Sequence, residues 1–212
     1  MKAILVPVKL FAKSKMRLAP VYSADARTAF AEALCVDFFR MLAEVKMAAR
    51  IFVASQEPSA LERAQANGWE IIPETEQVSE SQSVDAASRI CAGRGVGALL
   101  RLPIDIPMAT AEDIDAILAE IEEAPSAVLV PSRDGTGTNA LLRSAPCLFP
   151  SHFGPNSFAL HLEEARRAGA RVKVLHNPRI ALDIDEAEDL RALGPDARPG
   201  TLLAAWLKTY AN

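Results

Sequence analysis

Three groups of residues in this 212-residue chain have types and spacings that could do chemistry. The first is Lys9, Lys13, Lys15 and Arg17, four cations within nine residues, following the apolar run Ala3–Val8. No glycine occurs between Val6 and Leu18, so neither a dinucleotide fingerprint nor a P-loop is present. What remains is side-chain charge, which can neutralise a triphosphate. A solvated basic loop explains the same charge without a ligand, and both readings stand at this point. The second group is Leu102-Pro103-Ile104-Asp105-Ile106-Pro107. There a carboxylate between two stiffening prolines follows an apolar stretch and is placed to hold a divalent cation. Thr110 already supplies a cap for the next helix, which weakens a capping role for Asp105. The third is Leu182-Asp183-Ile184-Asp185, whose strand-like alternation puts Asp183 and Asp185 on one face. Paired like charges favour a cation beside them, so Asp105 with this pair reads as a Mg²⁺–nucleotide site. The competing reading is acid enrichment at a helix N-terminus, with Asp185, Glu186, Glu188 and Asp189 in that role.

Two further loops carry small polar residues. Pro131–Leu141 contains Gly135, Thr136, Gly137, Thr138 and Asn139, which can present backbone N–H and hydroxyl donors to a small anion. Phe153-Gly154-Pro155-Asn156-Ser157 turns into a helix whose positive end would face an anionic ligand. Ordinary turns use the same residues, so each loop alone is weak. His152, His161 and His176 lack metal-ligand spacing, and His161 reads as a structural histidine. Ser157 is not in a nucleophile elbow. Cys35, Cys91 and Cys147 form no paired motif and read as free thiols.

These groups must be positioned by alternating strands and helices. Apolar runs and helical stripes predict strands at Ala3–Val8, Arg50–Ala54, Trp69–Ile72, Ala98–Leu102, Val128–Val130, Thr138–Arg143 and Arg171–Leu175. Helices are predicted over Asp25–Met47, Glu57–Asn67, Ser83–Arg94, Ala111–Glu123, Ser157–Ala168 and Leu202–Tyr210. Gly68 would close the second helix, and Thr110 with Asp113 would open the fourth. Such alternation predicts one α/β domain over 1–212, a three-layer sandwich around a mostly parallel sheet. Ligands then bind beyond the carboxyl ends of the strands, where the loops above lie. The apolar stretch Leu202–Trp206 fits either the core or a homodimer interface.

Composition excludes several classes. With 50% hydrophobic residues, 10 Gly, 14 Pro and 3 Cys, the chain is neither disordered, collagen-like nor disulfide-stapled. No run of about 18 apolar residues occurs, so a membrane partner is not expected and a cytoplasmic protein is. The net charge of −4 divides unevenly: the first 24 residues carry five cations and no acid. A basic lead on an acidic protein fits a small polyanion better than nucleic acid.

Taken in order, VPVK, AKSKMRLAP, LPIDIP, PSRDGTGTNALL, FGPNSF with its following His, and LDIDEAEDL resemble a known family. These are the guanylyltransferases of coenzyme F420 biosynthesis, acting on 2-phospho-L-lactate, phosphoenolpyruvate or 3-phosphoglycerate. The resemblance runs from about Val6 to Leu190. It implies a GT-A-like, Rossmann-like nucleotidyltransferase fold, GTP and Mg²⁺ as co-reactants, and pyrophosphate as product. Carried over by position, Val6, Pro7, Val8, Lys9, Lys15, Arg17, Asp85 and Asp105 would bind the nucleotide, with Lys15, Arg17 and Asp105 catalytic. Thr138, Asn139, Gly154 and Ser157 would bind the phosphorylated acid, and Asp105, Asp183 and Asp185 the metal. Two positions depart from the family pattern. Met16 replaces a small hydroxyl residue, and Val84-Asp85 replaces Leu-Asn, which bears on base preference. A same-fold nucleotidyltransferase with another acceptor, and a non-catalytic nucleotide-binding protein, are the alternatives.

Overall fold

β1 (Lys2–Val8) is apolar almost throughout because helices cover both of its faces. In the computed structural model, which describes residues 1–193 and 197–211, its side chains divide by the period of two. Ile4, Val6 and Val8 pack with Phe38, Phe39 and Leu42 of α1 (Ala24–Leu42). Ala3 and Leu5 pack the other way, against Val84, Ala87 and Cys91 of α3 (Glu80–Gly93). The remaining strands are β2 (Arg50–Ser55), β3 (Glu70–Pro73), β4 (Ala98–Arg101), β5 (Ser126–Pro131), β6 (Thr138–Arg143) and β7 (Arg171–Val174). They form one seven-stranded sheet in the order β3-β2-β1-β4-β6-β5-β7. α2 (Pro58–Ala66) and α4 (Ala111–Ala119) join α1 on the first face. α5 (Ser157–Arg167) lies with α3 on the second face, where Ala165 packs on Ala127, Leu129 and Leu141. The expected three-layer α/β sandwich is therefore present.

Every neighbouring pair is parallel except the two made by β6, which runs against both β4 and β5. β4 and β5 consequently point the same way, and β6 begins where they end. One edge of the sheet thus gathers the exits of β1, β4 and β5 and the entry of β6. That edge positions the basic loop after β1, the Asp105 turn after β4 and the hairpin between β5 and β6, whereas the Asp183–Asp185 segment follows a short helix, Pro178–Ala181, and the Phe153–Ser157 turn precedes α5.

Several helix ends differ from the periodicity. α1 stops at Leu42 rather than Met47, because the Lys46 and Met47 N–H groups donate to the Asp115 carboxylate at 2.8–3.2 Å instead of continuing the helix. α4 stops at Ala119 rather than Glu123, where the Glu120 N–H closes on the Ile117 carbonyl. α3 starts at Glu80, earlier than Ser83, because the Ser79 hydroxyl caps it by accepting from the Gln82 N–H. The short helix α6 (Pro178–Ala181) was not anticipated, whereas α7 (Ala187–Leu193), with Glu188 and Asp189 in its first turn, is the helix that the competing reading of the acidic run called for. In α8 (Leu202–Tyr210), Leu203 and Trp206 are core residues: Trp206 stacks 4.7 Å from Phe30 and its Nε1–H donates to Ala26 O at 2.8 Å. Among the described residues no helix is long and apolar enough to cross a membrane.

The start of α4 carries the best-defined charge outside the site. Asp113 accepts from the Thr110 N–H (3.0 Å), Asn177 Nδ2 (2.8 Å) and Arg179 Nε (2.7 Å), completing a capping box and tying α6 to α4. Burial opposes the carboxylate charge, but the bonds from Arg179, Asn177 and Thr110 outweigh it and hold the pKa at about 2 against an ordinary 3.8. A depressed folded-state pKa gives stability that is present above the unfolded value and lost as pH falls through the folded one. Asp113→Asn is expected to cost about 2 kcal/mol at neutral pH in urea unfolding. The difference from wild type should persist down to about pH 4 and shrink towards pH 2. A difference that stays constant over that window would contradict the assignment.

Candidate active site

Two apolar pegs hold the basic loop against the sheet edge. Phe11 is buried and its N–H donates to Glu57 Oε2 (3.0 Å), while Leu18 is fully buried beside Phe30 and Ile184. Two short 3₁₀ turns, Phe11–Lys13 and Met16–Leu18, connect them. Between the turns Lys15 takes a left-handed conformation, φ 53°, unusual for a residue with a side chain. The turn sends its side chain inward: it is 8% exposed, whereas Arg17 is 67% exposed. Lys15 Nζ lies 2.6 Å from Asp105 Oδ2, 2.6 Å from the Ile184 carbonyl and 3.1 Å from Asp185 Oδ1. Burial works against the ammonium charge, but Asp105 and Asp185 outweigh it and raise the Lys15 pKa. The Asp105 carboxyl is likewise pushed up by burial yet held below its ordinary value by Lys15.

The segment carrying Asp183 and Asp185 is not a strand, contrary to its alternation. After α6 it runs unpaired in any ladder. It is fixed by the Ile184 N–H bond to Asp105 O (3.0 Å), by the buried Ile184 side chain and by Asn139. Asn139 Nδ2 donates to Ile180 O (2.9 Å), Ala181 O (3.1 Å) and Asp183 Oδ1 (3.1 Å), which makes it a clamp on this segment. Asp105 and Asp185 therefore meet at one cation while Asp183 turns to Asn139. Among the described residues no three acids, histidines or cysteines are already grouped to hold a metal. The Asp183 carboxyl is raised, first by burial and then by the Asp105 charge. The helix-terminus reading also has substance, since Asp189 accepts from the Asp185 and Glu186 N–H groups at 3.1 and 2.9 Å. Arg17 reaches Asp185 at 3.6 Å and Glu186 at 3.7 Å.

On the other side of the edge lies the β5–β6 hairpin. Asp134 organises its tip by accepting from Ser132 Oγ (2.6 Å), the Thr136 N–H (3.0 Å) and Thr136 Oγ1 (2.8 Å). Gly137 is required there, because a Cβ would meet Ser132 Oγ at 2.8 Å. Thr138 opens β6, and its hydroxyl lies 3.0 Å from His161 Nδ1 and 3.4 Å from Ser157 Oγ. The His152 N–H donates to His161 Nε2 (2.8 Å), which leaves Nδ1 as the donor to Thr138. Burial and the nearby Arg143 and Arg101 push the His161 pKa down to about 3, so the ring is neutral. Gly154 precedes α5 with φ 128°, a conformation that favours glycine.

The remaining expected residues separate. Val6 and Val8 point into the core, leaving their backbone as the part that could meet a ligand, and Val8 O already accepts from Ser55 Oγ (2.7 Å). Pro7 sits between them at the end of β1. Asp85 accepts from the Ser151 N–H (3.1 Å) and lies 3.8 Å from the buried Arg143. Lys9 is exposed and 3.3 Å from Glu80. Sequence reasoning overlooked Arg101, which is buried within an otherwise apolar β4 and paired with Glu80. The available signal was a lone cation at the end of a strand buried on both faces. Cys35 and Cys91 are buried, and burial pushes both thiols up to about 12, which makes them inert.

Comparison with known proteins gives the family and the fold. Residues 1–194 match the family model described as "Guanylyl transferase CofC like". The chain is 35% identical over 192 residues to a phosphoenolpyruvate guanylyltransferase of Rubrobacter xylanophilus, covering 89% of this chain and 91% of the relative. It is 30% identical over 186 residues to the 2-phospho-L-lactate guanylyltransferase of Methanothermobacter thermautotrophicus, covering 88% and 81%. Its fold is similar to a putative nucleotide-diphospho-sugar transferase from Desulfovibrio desulfuricans, with TM-score 0.76, 19% identity and 99% and 97% of the two chains covered. A nucleotidyl transferase from Methanothermobacter has the same fold, with TM-score 0.66, 12% identity and 99% of each chain covered. The protein is thus a nucleotidyltransferase in architecture, and by sequence it belongs to the CofC-like guanylyltransferase family.

Proposed function

We propose that this chain transfers GMP from GTP to a small phosphorylated carboxylic acid and releases pyrophosphate, as a cytoplasmic, single-domain enzyme of coenzyme F420 biosynthesis. Its named relatives are phosphoenolpyruvate and 2-phospho-L-lactate guanylyltransferases, and 3-phosphoglycerate, which the sequence resemblance adds, belongs to the same acceptor class. The observation that carries the reading is the convergence of Asp105, Asp185 and the Ile184 carbonyl on Lys15 Nζ, linked through the Asn139–Asp183 bond to the strand that carries Thr138 of the hydroxyl pair Thr138–Ser157. The oxygens around Lys15 Nζ form a hard donor set, and the ammonium stands where a hard cation would be held. Mg²⁺ suits such a set, because it takes one or two carboxylates and completes its shell with water and phosphate oxygens. Asp105 and Asp185 would hold it, with Asp183 adjoining. The chemistry supplied by Mg²⁺ when bound is neutralisation of phosphate charge.

The chain's own residues then bind and align. Lys15, Arg17 and Lys9 offer cations to the triphosphate of GTP and to the departing pyrophosphate. Thr138 and Ser157 present hydroxyls to the acid, and Gly154 leaves its backbone approachable. His161 is neutral and donates through Nδ1, so the Thr138 hydroxyl accepts from it and has its own proton free for an acceptor oxygen. The acid's phosphate is ionised at neutral pH and attacks the α-phosphorus without a protein base. Catalysis is therefore orientation plus charge stabilisation. This reading accounts for a site with the cations Lys9, Lys15 and Arg17 and a neutral histidine but no activated nucleophile. Asn139 acts indirectly, by holding the Asp183 segment. Asp85 is engaged with Ser151 and Arg143, which supports a role in holding the 149–153 segment over one in reading the base.

The direct test is pyrophosphate release from GTP with each of the three acids, with the product identified by mass spectrometry. Acid-dependent release and a product of acid plus GMP are expected; release independent of acid would refute the reading. Asp105→Asn should lower turnover at least about 100-fold, the scale of losing one transition-state charge partner. It should also weaken Mn²⁺ binding, followed by electron paramagnetic resonance as a probe of the Mg²⁺ site. Retained Mn²⁺ affinity would move the metal elsewhere. Ser157→Ala should raise the acid KM by about tenfold, the worth of one hydrogen bond to a charged group, while the GTP KM stays within about twofold. Equal changes in both constants would remove Ser157 from the acid site.

A further inference from the structure

Arg101 is the last residue of β4, after Ala98, Leu99 and Leu100, and its side chain is 6% exposed. Its guanidinium carbon lies 4.0 Å over the Phe153 ring. Phe153 is the neighbour of Gly154, and its N–H is fixed by Ser81 Oγ at 2.7 Å. On the opposite side, Arg101 Nη1 is 3.5 Å from the Thr138 carbonyl. The guanidinium therefore lies between the two loops read above as the acid site. Nη2 donates to Glu80, while the buried Nε has no partner.

Glu80 is partly buried and is shared: its other oxygen is 3.3 Å from Lys9 Nζ. One carboxylate thus bridges a buried arginine and an exposed lysine where β1 and β4 end. Pinning the start of α3 does not require it, because Ser79 already caps that helix. Nor does it satisfy the arginine, whose fork is built for two parallel bonds to one carboxylate. Burial drives the Arg101 pKa down to about 10, so the group demands an anion.

We propose that Arg101 is the anchor for the carboxylate of the acceptor acid, and that Glu80 occupies this position when no acid is bound. The exchange replaces one carboxylate with another, so the buried guanidinium is never left unpaired, and Lys9 is released towards the nucleotide phosphates. An acceptor whose phosphate is committed to attack on GTP and which lacks a carboxylate has no second anion to replace Glu80, so it would displace Glu80 only by stranding a buried charge. Arg101 accordingly selects phosphorylated carboxylates against phosphorylated sugars or alcohols. This inference rests on the acceptor class given under Proposed function.

A double-mutant cycle with phosphoenolpyruvate as acceptor tests it. Arg101→Gln should raise the acid KM about 30-fold, with the GTP KM changed less than about threefold. Glu80→Gln should lower the acid KM several-fold by removing the competitor. In the Arg101→Gln background, Glu80→Gln should have no effect on the acid KM. An acid KM raised by Glu80→Gln, or an equal effect in both backgrounds, would overturn the proposal. Should Arg101→Gln not fold, ethyl phosphate, which has no carboxylate, serves as inhibitor of the Glu80→Gln enzyme. Its inhibition constant should match wild type while phosphoenolpyruvate tightens, and tightening of both would overturn the proposal. If phosphoenolpyruvate is not turned over, the acid that is takes its place. Wild type inactive with all three acids overturns the acceptor class, whereas active wild type with no Glu80→Gln effect overturns this inference alone.

Discussion

One buried ammonium ties the site together. Lys15 meets Asp105 and Asp185, residues 90 and 170 positions away in the chain, and also donates to the Ile184 carbonyl. A buried charge of either sign is costly alone, so the three segments are interdependent: displacing any one strands the others. The left-handed turn at Lys15 is what allows a basic loop to insert its charge inward while Arg17 stays in solvent. An Ile184 N–H bond to Asp105 O adds a backbone link between the same segments. The site is thus tied by backbone as well as side-chain bonds, and the cation it encloses is a side-chain ammonium.

The other half of the site depends on strand direction. Because β6 opposes its neighbours, Thr138 and Asn139 lie at its beginning and therefore at the edge where β4 and β5 end. Were β6 parallel, the same residues would lie at the opposite edge, far from Asp105. The hairpin that reverses the chain is held by Asp134, whose pKa is lowered to about 2 by bonds from Ser132 and Thr136. Its polar residues serve the turn itself, while Thr138 and Asn139, which follow it, bond to His161 and Asp183.

Around this edge lies a shell of buried polar groups with fixed roles. His161 is neutral and limited to one tautomer, so Thr138 is held in one hydrogen-bonding state. Arg143 donates to Phe149 O (2.5 Å) and Ser88 Oγ (3.0 Å) and lies near Asp85, holding the approach to Phe153. A half-satisfied polar network is worse than an apolar core, and among the described residues Arg27 Nε, Arg101 Nε, Arg143 Nε and His152 Nε2 are buried without a partner; Arg101 Nε belongs to the guanidinium between Phe153 and Thr138. Buried charge left partly unpaired marks a place where a ligand can complete the pairing.

Much of this was legible in the residues themselves. Continuous apolar runs such as Ala3–Val8 announced strands covered on both faces, and helical stripes announced the layers that cover them. Gly68, with φ 73°, and the Thr110–Asp113 box were readable because each is a local bond pattern. Ordered motifs located the cationic loop, Asp105 and the Asp183–Asp185 pair. The end of α1 was not legible, since it is decided by a carboxylate 68 positions away. Nor was the alternation at Ala181–Asp185 a reliable sign of a strand, for a ladder needs a partner and none is provided. The division of labour among the acids, Asp105 and Asp185 to Lys15 and Asp183 to Asn139, was equally hidden, as was the pairing of Arg101 with Glu80. Sequence alone determined which segments bear charge and which are apolar, because burial period and turn chemistry act over a few residues. Only the tertiary structure decided which charge meets which, because electrostatic partners are chosen by distance in space and by exclusion of water.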